Sequence, residues 1–341
     1  MKKNIMNYKI DELEAVFKNL YEKKFVAYQI FEWIHRKNIF DFNSMSNISK
    51  ELKNKLFKDF FISKLKILEV KKSFDSEKFL IELEDKNLIE CCLMTYSFGN
   101  TICVSSQVGC KMGCSFCESK KNNFIRNLEA GEICSQIYLI NKTKKISRIA
   151  VMGIGEPLDN YDNLLKFIKI ITSPNGFNIS QRNITISTCG LVNKIEKLAR
   201  ENLKINLAVS LHAPNDYIRN KIMKISQSYS IDKILIACDN YFKITKRRVT
   251  FEYLLLNNIN DSKENAEELC KRLKKISCHV NLIKFNKITD NLYTSSNKIK
   301  QDVFFNILKK NKINVTIRRS LGSNISSACG QMSYRVSQKQ Y

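Results

Sequence analysis

Glycine and proline are scarce in this chain of 341 residues, which contains only 10 and 3 of them, respectively. So few chain-breaking residues exclude a collagen-like or linker-rich architecture. No apolar run reaches about 18 residues, the length at which a transmembrane helix is inferred. The amino-terminal segment contains two lysines but is soon interrupted by Asp11, Glu12 and Glu14. It therefore does not resemble a signal peptide, and we expect a cytoplasmic protein.

Acidic residues are also few, because 33 Asp and Glu stand against 57 Lys and Arg, giving a net charge of +24 and an isoelectric point near 9.5. This excess indicates a polyanionic partner, most often nucleic acid. A second explanation stays open, since AT-rich coding also produces a chain rich in Lys, Asn and Ile. Binding to a membrane surface is less favoured, because no basic amphipathic segment carries an aromatic face.

The hydrophobic fraction of 44% is close to that of globular proteins and excludes a mostly disordered chain. Apolar residues recur at helical spacing over 10–22 and 28–37, and Ser49 is a candidate cap for a third helix. Between residues 66 and 94 the pattern changes to short alternating runs, which predict a hairpin or small sheet. We therefore expect a helical accessory domain over 1–65, a short β extension over 66–100 and a core domain over 101–341.

From Thr101 onward, predicted strands alternate with amphipathic stretches, which predicts βαβ units and a parallel sheet. About six such units favour an α/β fold of the partial (βα)6 barrel type over a complete eightfold barrel. In such folds the chemistry lies at the carboxyl ends of the strands. The predicted strands span 101–105, 148–152, 183–188, 205–211, 248–255, 279–285 and 313–318, and the helices between them span 159–172, 191–202, 231–245, 261–275 and 299–311.

The chain contains 12 cysteines, and in a cytoplasmic protein metal, cluster or catalytic roles are more common than a disulfide framework. Cys110, Cys114 and Cys117 follow the first core strand with C-x3-C-x2-C spacing, which suits three ligands of an iron–sulfur cluster with one iron left open. Zinc is the alternative, but structural zinc sites use four ligands and no second C-x2-C pair exists here. Seven others lie in apolar contexts typical of small buried side chains: Cys91, Cys92, Cys134, Cys189, Cys238, Cys270 and Cys278.

The cysteine triad resembles the signature of the radical S-adenosylmethionine (SAM) enzymes, and the turn at residues 153–157 is similar to their glycine-rich turn that holds SAM. Further motifs occur in the order found in the RlmN/Cfr family of radical SAM adenine methyltransferases, and the resemblance runs from about residue 20 to residue 335. The amino-terminal segment 31–56 and the motif SLHAPND are more similar to RlmN than to Cfr. These motifs lie at 103–110 (CVSSQVGC), 152–158 (MGIGEPL), 187–190 (STCG), 210–216 (SLHAPND) and 328–331 (ACGQ).

The resemblance implies a 4Fe-4S cluster on the triad, with its open iron bound to SAM, and two SAM molecules per turnover. One SAM methylates Cys329, and the radical from the second takes hydrogen from that S-methyl group before the carbon adds to adenine. Cys103 then forms a transient disulfide with Cys329, and Glu90 accepts the ring proton. A charged residue within the apolar run LIECC needs a reason, although a strand-end glutamate is the plainer reading of Glu90.

The resemblance also implies contacts to SAM, with His212 in a binding role and not in proton transfer. It implies 23S rRNA and tRNA as substrates, a flavodoxin- or ferredoxin-type electron donor and a monomer, while the absence of a long apolar run predicts no membrane association. The helical amino-terminal module, with Trp33, His35, Arg36 and Lys37, is the expected additional RNA surface. The positions implied to contact SAM are Gly155, Glu156, Ser187, Ser210, Leu211, His212 and Asn286.

Three departures from the family pattern fall near the site. Glu118 begins a polar run where small residues are usual, Asn286 is followed by Lys287 in place of proline, and Asn324 and Ser326 replace acidic residues. The resemblance to RlmN implies methylation of carbon 2 of an adenine in the peptidyl-transferase region of 23S rRNA and of the adenine next to the tRNA anticodon. Two alternatives to this reaction stay open. One is Cfr-like methylation of carbon 8, which gives antibiotic resistance, and the other is a non-catalytic iron–sulfur or zinc RNA-binding protein.

The positive charge predicts that affinity for RNA falls steeply with salt, because lysines and arginines that neutralise phosphates release counterions. Binding of tRNA, measured by fluorescence anisotropy, is expected to weaken at least about tenfold between about 50 and 200 mM salt. An affinity for tRNA that stays constant over this salt range would contradict the hypothesis that the positive charge binds RNA.

Overall fold

The computed structural model describes residues 2–20, 22–286, 293–319, 321–326 and 331–332. Its amino-terminal part is helical, as the sequence predicts, and Ser49 caps the third helix by accepting a hydrogen bond from the Leu52 amide at 3.2 Å. Two short strands pair in parallel and bring the two ends of this part together. The elements are β1 (Lys3–Asn4), α1 (Ile10–Asn19), α2 (Lys24–His35), α3 (Lys50–Asp59) and β2 (Phe60–Phe61).

Ten strands form one mixed sheet, and two more pair separately. The sheet strands are β3 (Lys66–Lys72), β4 (Ser76–Glu82), β5 (Leu88–Tyr96), β6 (Gly99–Val104), β9 (Ile146–Val151), β10 (Ile184–Thr188), β11 (Asn206–Ser210), β12 (Val249–Leu255), β13 (Cys278–Lys284) and β14 (Asn314–Arg318), and the separate pair is β7 (Gln107–Val108) and β8 (Arg126–Asn127). The strands from β6 to β14 in this sheet are parallel, whereas β3, β4 and β5 add to β6 as an antiparallel meander. Across the sheet the strands follow the order β14-β13-β12-β11-β10-β9-β6-β5-β4-β3.

Helices connect the successive parallel strands, which gives the six βα units of the predicted partial barrel. The β extension expected over 66–100 continues the barrel sheet directly, because β5 pairs with β6. None of the helices in the described ranges is long and apolar enough to cross a membrane. The connecting helices are α4 (Ala130–Asn141), α5 (Tyr161–Ile171), α6 (Val192–Ala199), α7 (Asp216–Ile222), α8 (Ile231–Thr245), α9 (Lys263–Leu273) and α10 (Lys298–Lys310).

The amino-terminal helices and the barrel share one continuous apolar core. A close approach at Gly131 shows how they meet, since a Cβ at this position would lie 2.7 Å from the Cβ of Met6. The Gly131 amide also donates a hydrogen bond to Asn7 Oδ1 at 2.8 Å. Glycine at the start of α4 therefore allows the amino-terminal segment to pack directly on the barrel.

Arg219 of α7 is completely buried and ties together the chain at the ends of β10 and β11. Its guanidinium donates hydrogen bonds to the carbonyls of Cys189 at 2.6 Å, Leu211 at 3.2 Å and Ser210 at 3.2 Å. These carbonyls belong to residues at or just after the strand ends, where the sheet no longer supplies partners. A single side chain thus fixes the positions of two βα loops.

Replacing Arg219 by Met is expected to lower the free energy of unfolding by roughly 2–5 kcal/mol, because buried carbonyls lose their donors at about 1–3 kcal/mol each. Anaerobic urea unfolding of the intact protein measures this change. The exposed Arg200→Met variant serves as a control and is expected to change stability by less than about 0.5 kcal/mol. Equal losses in the two variants would contradict the bridging role of Arg219.

Candidate active site

The three cysteines lie in a compact loop between the short paired strands β7 and β8. Gly109, just before the loop, has φ +74°, and a Cβ there would lie 2.0 Å from the Asn123 carbonyl oxygen. Glycine is therefore required where the two ends of the loop cross. Cys110, Cys114 and Cys117 are all half-buried on this loop.

Burial raises the pKa of the Cys110 thiol to about 11, and the neighbouring Cys117 adds to this rise. Burial likewise raises the pKa of Cys114, with both other thiols contributing and Arg219 opposing. In the described part of the chain, no three His, Cys, Asp or Glu side chains are placed to hold a metal ion together. In an iron–sulfur cluster each thiolate binds its own iron, so the three thiols need not converge on a single metal ion and the loop fits such a cluster. The positive charge of the iron would compensate the charge of the thiolates.

The turn after β9 packs directly on β7. Gly155 has φ +104°, and a Cβ there would lie 2.6 Å from the Cβ of Gln107. Gln107 Oε1 accepts a hydrogen bond from the Glu156 amide at 2.8 Å. The implied SAM-contacting pair Gly155 and Glu156 is thereby fixed beside the cysteine loop.

Glu156 is buried, and its two carboxylate oxygens join the ends of neighbouring strands. Oε1 accepts from the Leu158 amide at 3.0 Å, and Oε2 accepts from the Cys189 amide after β10 at 2.7 Å. Burial raises the pKa of Glu156, while these amides favour its charged form. Besides its predicted contact with SAM, Glu156 thus has a positioning role that the sequence did not reveal.

His212 follows β11 in a left-handed conformation with φ +56° and is 4% exposed. Its Nδ1 accepts a hydrogen bond from the Leu254 amide at 3.0 Å, and its ring meets the edge of Phe116 from the cysteine loop at 4.8 Å. Burial lowers the pKa of His212 to about 3, with Arg219 contributing, so the ring is neutral at physiological pH. A ring that stays neutral and already accepts a hydrogen bond at Nδ1 is poorly suited to proton transfer, and the contact of His212 with SAM stays a prediction.

The remaining residues implied to contact SAM occupy neighbouring strand ends. Ser187 and Ser210 are half-buried on β10 and β11, and Asn286 is 8% exposed just after β13. Leu211 has a completely buried side chain in the apolar core, so only its main chain is available to a ligand.

Cys103 lies on β6, opposite Cys92 of β5. Glu90, two residues before Cys92, is 4% exposed and forms an ion pair with Lys78 of β4 at 2.9 Å. Residues directly opposite in antiparallel strands share one face, as do residues two apart along a strand. Glu90, Cys103 and Lys78 therefore lie on the same face of the sheet.

Cys329 lies outside the described residues. Leu321 and Met332, which precede and follow it in the chain, belong to one buried cluster with Cys103. In addition, Ser119 Oγ, just after the cysteine loop, donates a hydrogen bond to the Met332 carbonyl at 2.6 Å. The described chain on both sides of Cys329 is thus held close to Cys103 and to the loop.

The burial of individual side chains bears on the expected RNA surface and on the departure at Glu118. His35 is completely buried, with Nδ1 2.8 Å from the Tyr138 hydroxyl, so its expected place on an RNA-contacting surface is wrong. Arg36 and Lys37 are exposed. Glu118, one of the departures from the family pattern, is buried and pairs with Lys121 at 2.8 Å.

A partial barrel with a three-cysteine loop at its carboxyl edge defines a radical SAM enzyme. The model of the radical SAM superfamily matches residues 104–273, and that of the ribosomal RNA large subunit methyltransferase N-terminal domain matches residues 3–62. The crystal structure of a radical SAM methyltransferase from Sphaerobacter thermophilus superposes with a TM-score of 0.92 at 36% identity, covering 97% of this chain and 99% of that one.

Curated relatives of this chain indicate which group of radical SAM methyltransferases it belongs to. A probable dual-specificity RNA methyltransferase RlmN of Clostridium novyi (strain NT) is 48% identical over 97% of both chains. Another with the same description, from Lachnoclostridium phytofermentans, is 48% identical over 95% of this chain and 92% of its own length. This chain belongs to the RlmN family of radical SAM methyltransferases.

The buried neutral state of His212 predicts a dependence of stability on pH. Its folded pKa of about 3 lies below the ordinary 6.5, so between these values the unfolded chain takes up a proton that the folded chain excludes. The free energy of unfolding is therefore expected to fall as pH decreases below about 6.5, by at most about 1.4 kcal/mol per pH unit for this residue.

Anaerobic urea unfolding between about pH 5 and 7.5 tests this expectation. His212→Asn preserves an acceptor for the Leu254 amide and should flatten the decline. The half-buried His279, replaced by Asn as the control, should alter it less. An unchanged slope in the His212 variant would refute the assignment.

Proposed function

We propose that this protein methylates carbon 2 of adenine in the peptidyl-transferase region of 23S rRNA and of the adenine 3′ to the tRNA anticodon. Relatives with 46–48% identity carry the description of probable dual-specificity RNA methyltransferase. The observation that carries the proposal is the buried cluster that contains Cys103 together with Leu321 and Met332, close to the cysteine loop.

Cys110, Cys114 and Cys117 would hold one 4Fe-4S cluster, and Gly155, Glu156, Ser187, Ser210, Leu211, His212 and Asn286 would surround SAM. When bound, the cluster and two SAM molecules per turnover would supply the methyl group and the radical chemistry needed to activate a C–H bond. The loop fits this purpose because its three cysteines are half-buried close together in the chain and the loop begins at the Gly109 turn.

In this proposal Cys329 carries the methyl group to the adenine ring, and Cys103 then bonds to the Cys329 sulfur so that the carbon–sulfur bond breaks. The buried, largely apolar cluster around Cys103 excludes water from this exchange. A transient disulfide of this kind suits a reducing compartment, where protein disulfides are commonly catalytic.

Glu90 would accept the proton that leaves the adenine ring. Its position two residues from Cys92 makes it a near cross-strand neighbour of Cys103, and Ser105 Oγ donates to the Glu90 carbonyl at 2.6 Å. The Lys78 ammonium, 2.9 Å away, stabilises the negative charge of the carboxylate, which is the form that accepts a proton. The ion pair also compensates the cost of burying either charge alone.

The proposal further includes RNA phosphates as partners of the basic surface, a flavodoxin- or ferredoxin-type protein as electron donor, a cytoplasmic location and a monomeric state. The net charge of +24 supports RNA as a partner.

Nucleoside mass spectrometry of 23S rRNA and tRNA tests the reaction. A host that lacks its own enzyme would express the intact chain, the Cys329→Ala variant or the control variant Cys270→Ala, whose cysteine lies in α9. We expect 2-methyladenosine with the intact chain and the control and none with Cys329→Ala, because the methyl carrier is lost.

Two outcomes contradict the proposal. Formation of 8-methyladenosine would assign the carbon-8 reaction. Absence of both products, with a soluble chain that carries its cluster and cleaves SAM under reducing anaerobic conditions, would place the substrate outside these RNAs.

A further inference from the structure

The interior of the barrel contains a cavity of about 500 Å³. Its wall includes small side chains on successive parallel strands, among them Ala150, Thr185, Ala208 and Thr250. The interiors of complete barrels are filled by bulky branched residues at such positions. Here the small side chains leave a space within the range of volumes that bind small ligands or a single nucleoside.

The cavity borders the proposed reaction site. Ala150 on its wall pairs in register with Cys103, and Ala208 pairs with Ser187. Met152 both lines the cavity and packs against the cluster that contains Cys103. A group bound in the cavity is therefore adjacent to the strands that carry the reactive and SAM-contacting residues.

Glu252 supplies a buried polar group on the cavity wall. It is 5% exposed, and its Oε1 accepts a hydrogen bond from Asn281 Nδ2 at 3.2 Å. Its Oε2 lies 3.9 Å from Arg318 Nη1, beyond hydrogen-bond distance, and accepts no hydrogen bond from any residue in the described ranges. A buried carboxylate oxygen without a donor is energetically costly, so a ligand that brings an N–H group is favoured there.

The amino-terminal opening of the cavity is cationic. Lys246, Arg247 and Arg248 stand immediately before β12 and line the cavity together with Asn206, the first residue of β11. Arg247 is fixed by hydrogen bonds to the Ile205 carbonyl at 2.7 Å and to Asn206 Oδ1 at 2.6 Å.

Lys246 and Arg248, by contrast, are exposed. None of the three cations forms an ion pair with a carboxylate of the described chain. This rim suits the phosphates that flank a nucleotide inserted into the cavity.

We propose that the target nucleotide enters the barrel through this amino-terminal opening, so that Lys246 and Arg248 contact its flanking phosphates and Glu252 accepts a hydrogen bond from the amino group of the adenine. The inference rests on the proposed function in RNA methylation and extends it to substrate recognition. An enzyme that modifies a base must take it out of its stack and surround it with hydrogen-bonding groups, which a polar cavity provides.

SAM is the other possible source of an N–H group, because Ser210 of the implied SAM site pairs in register with Glu252. The RNA nucleotide is the better occupant, since the cationic rim lies at the end of the strands opposite to the cysteine loop. The experiment separates the two ligands.

The rim is tested with the double variant Lys246→Ala/Arg248→Ala and the matched control Lys274→Ala/Lys275→Ala, which removes two exposed charges at the end of α9. RNA affinity is measured by anisotropy with an anticodon stem–loop. The rim variant is expected to bind about tenfold more weakly, and its slope of log affinity against log salt should shrink by roughly 1.5, as for two lost phosphate contacts. Equal behaviour of the two double variants would overturn the proposed entrance.

Recognition of the base is tested with Glu252→Gln and with an RNA that carries purine, which lacks the amino group, at the target position. The intact enzyme is expected to methylate the adenine RNA at least tenfold more efficiently than the purine RNA, measured as kcat/KM. Glu252→Gln should lose at least tenfold on the adenine RNA and little on the purine RNA, while its SAM affinity stays unchanged.

Equal losses of Glu252→Gln on both RNAs, or a weakened affinity for SAM alone, would overturn the role of Glu252 toward the base. If the intact chain methylates neither RNA, the proposed function fails. The binding experiment with the two double variants still decides the proposed entrance in that case, because it does not depend on methylation and the substituted residues are exposed.

Discussion

The architecture depends on satisfying backbone polar groups where the parallel strands end and the chain leaves the sheet. Beyond these ends the sheet no longer supplies partners, and a buried amide or carbonyl without one is costly. Glu156 accepts from two such amides, Arg219 donates to several such carbonyls, and Gln107 holds the turn after β9. The same interactions bring the loops of the proposed active site together, so stability and function share these side chains.

Register in the sheet links the antiparallel meander to the chemistry. Because β5 pairs with β6, the face that carries Cys103 continues through Cys92 to Lys78. Glu90 lies on this face as well, and its ion pair with Lys78 follows from the pairing of β4 with β5. In the proposed reaction the strands that extend the barrel thus supply the proton acceptor, whereas the cysteine loop and the strand ends supply the sites for the cluster and SAM.

Much of the fold could be predicted because it follows local periodicity. The helix predicted at 231–245 coincides with α8, and the predicted strands agree with the observed ones to within one or two residues. The helix predicted at 28–37 is less accurate, because α2 already begins at Lys24. Its N-cap residue, Lys23, makes no side-chain capping hydrogen bond, so the sequence does not mark this start. His35 was misplaced because its neighbours are charged, whereas packing against Tyr138 of α4 decides its burial.

The sequence by itself determined the alternation of strands and helices, the cysteine loop and the motifs at the strand ends, because each of these depends on residues close together in the chain. Only the tertiary structure decided that Arg219 spans two loops, that Glu90 pairs with Lys78, and that Glu252 faces an interior cavity with a cationic opening. These relations join residues from different strands and helices. Burial and hydrogen bonding at such positions depend on register and packing across the whole sheet, which local patterns do not encode.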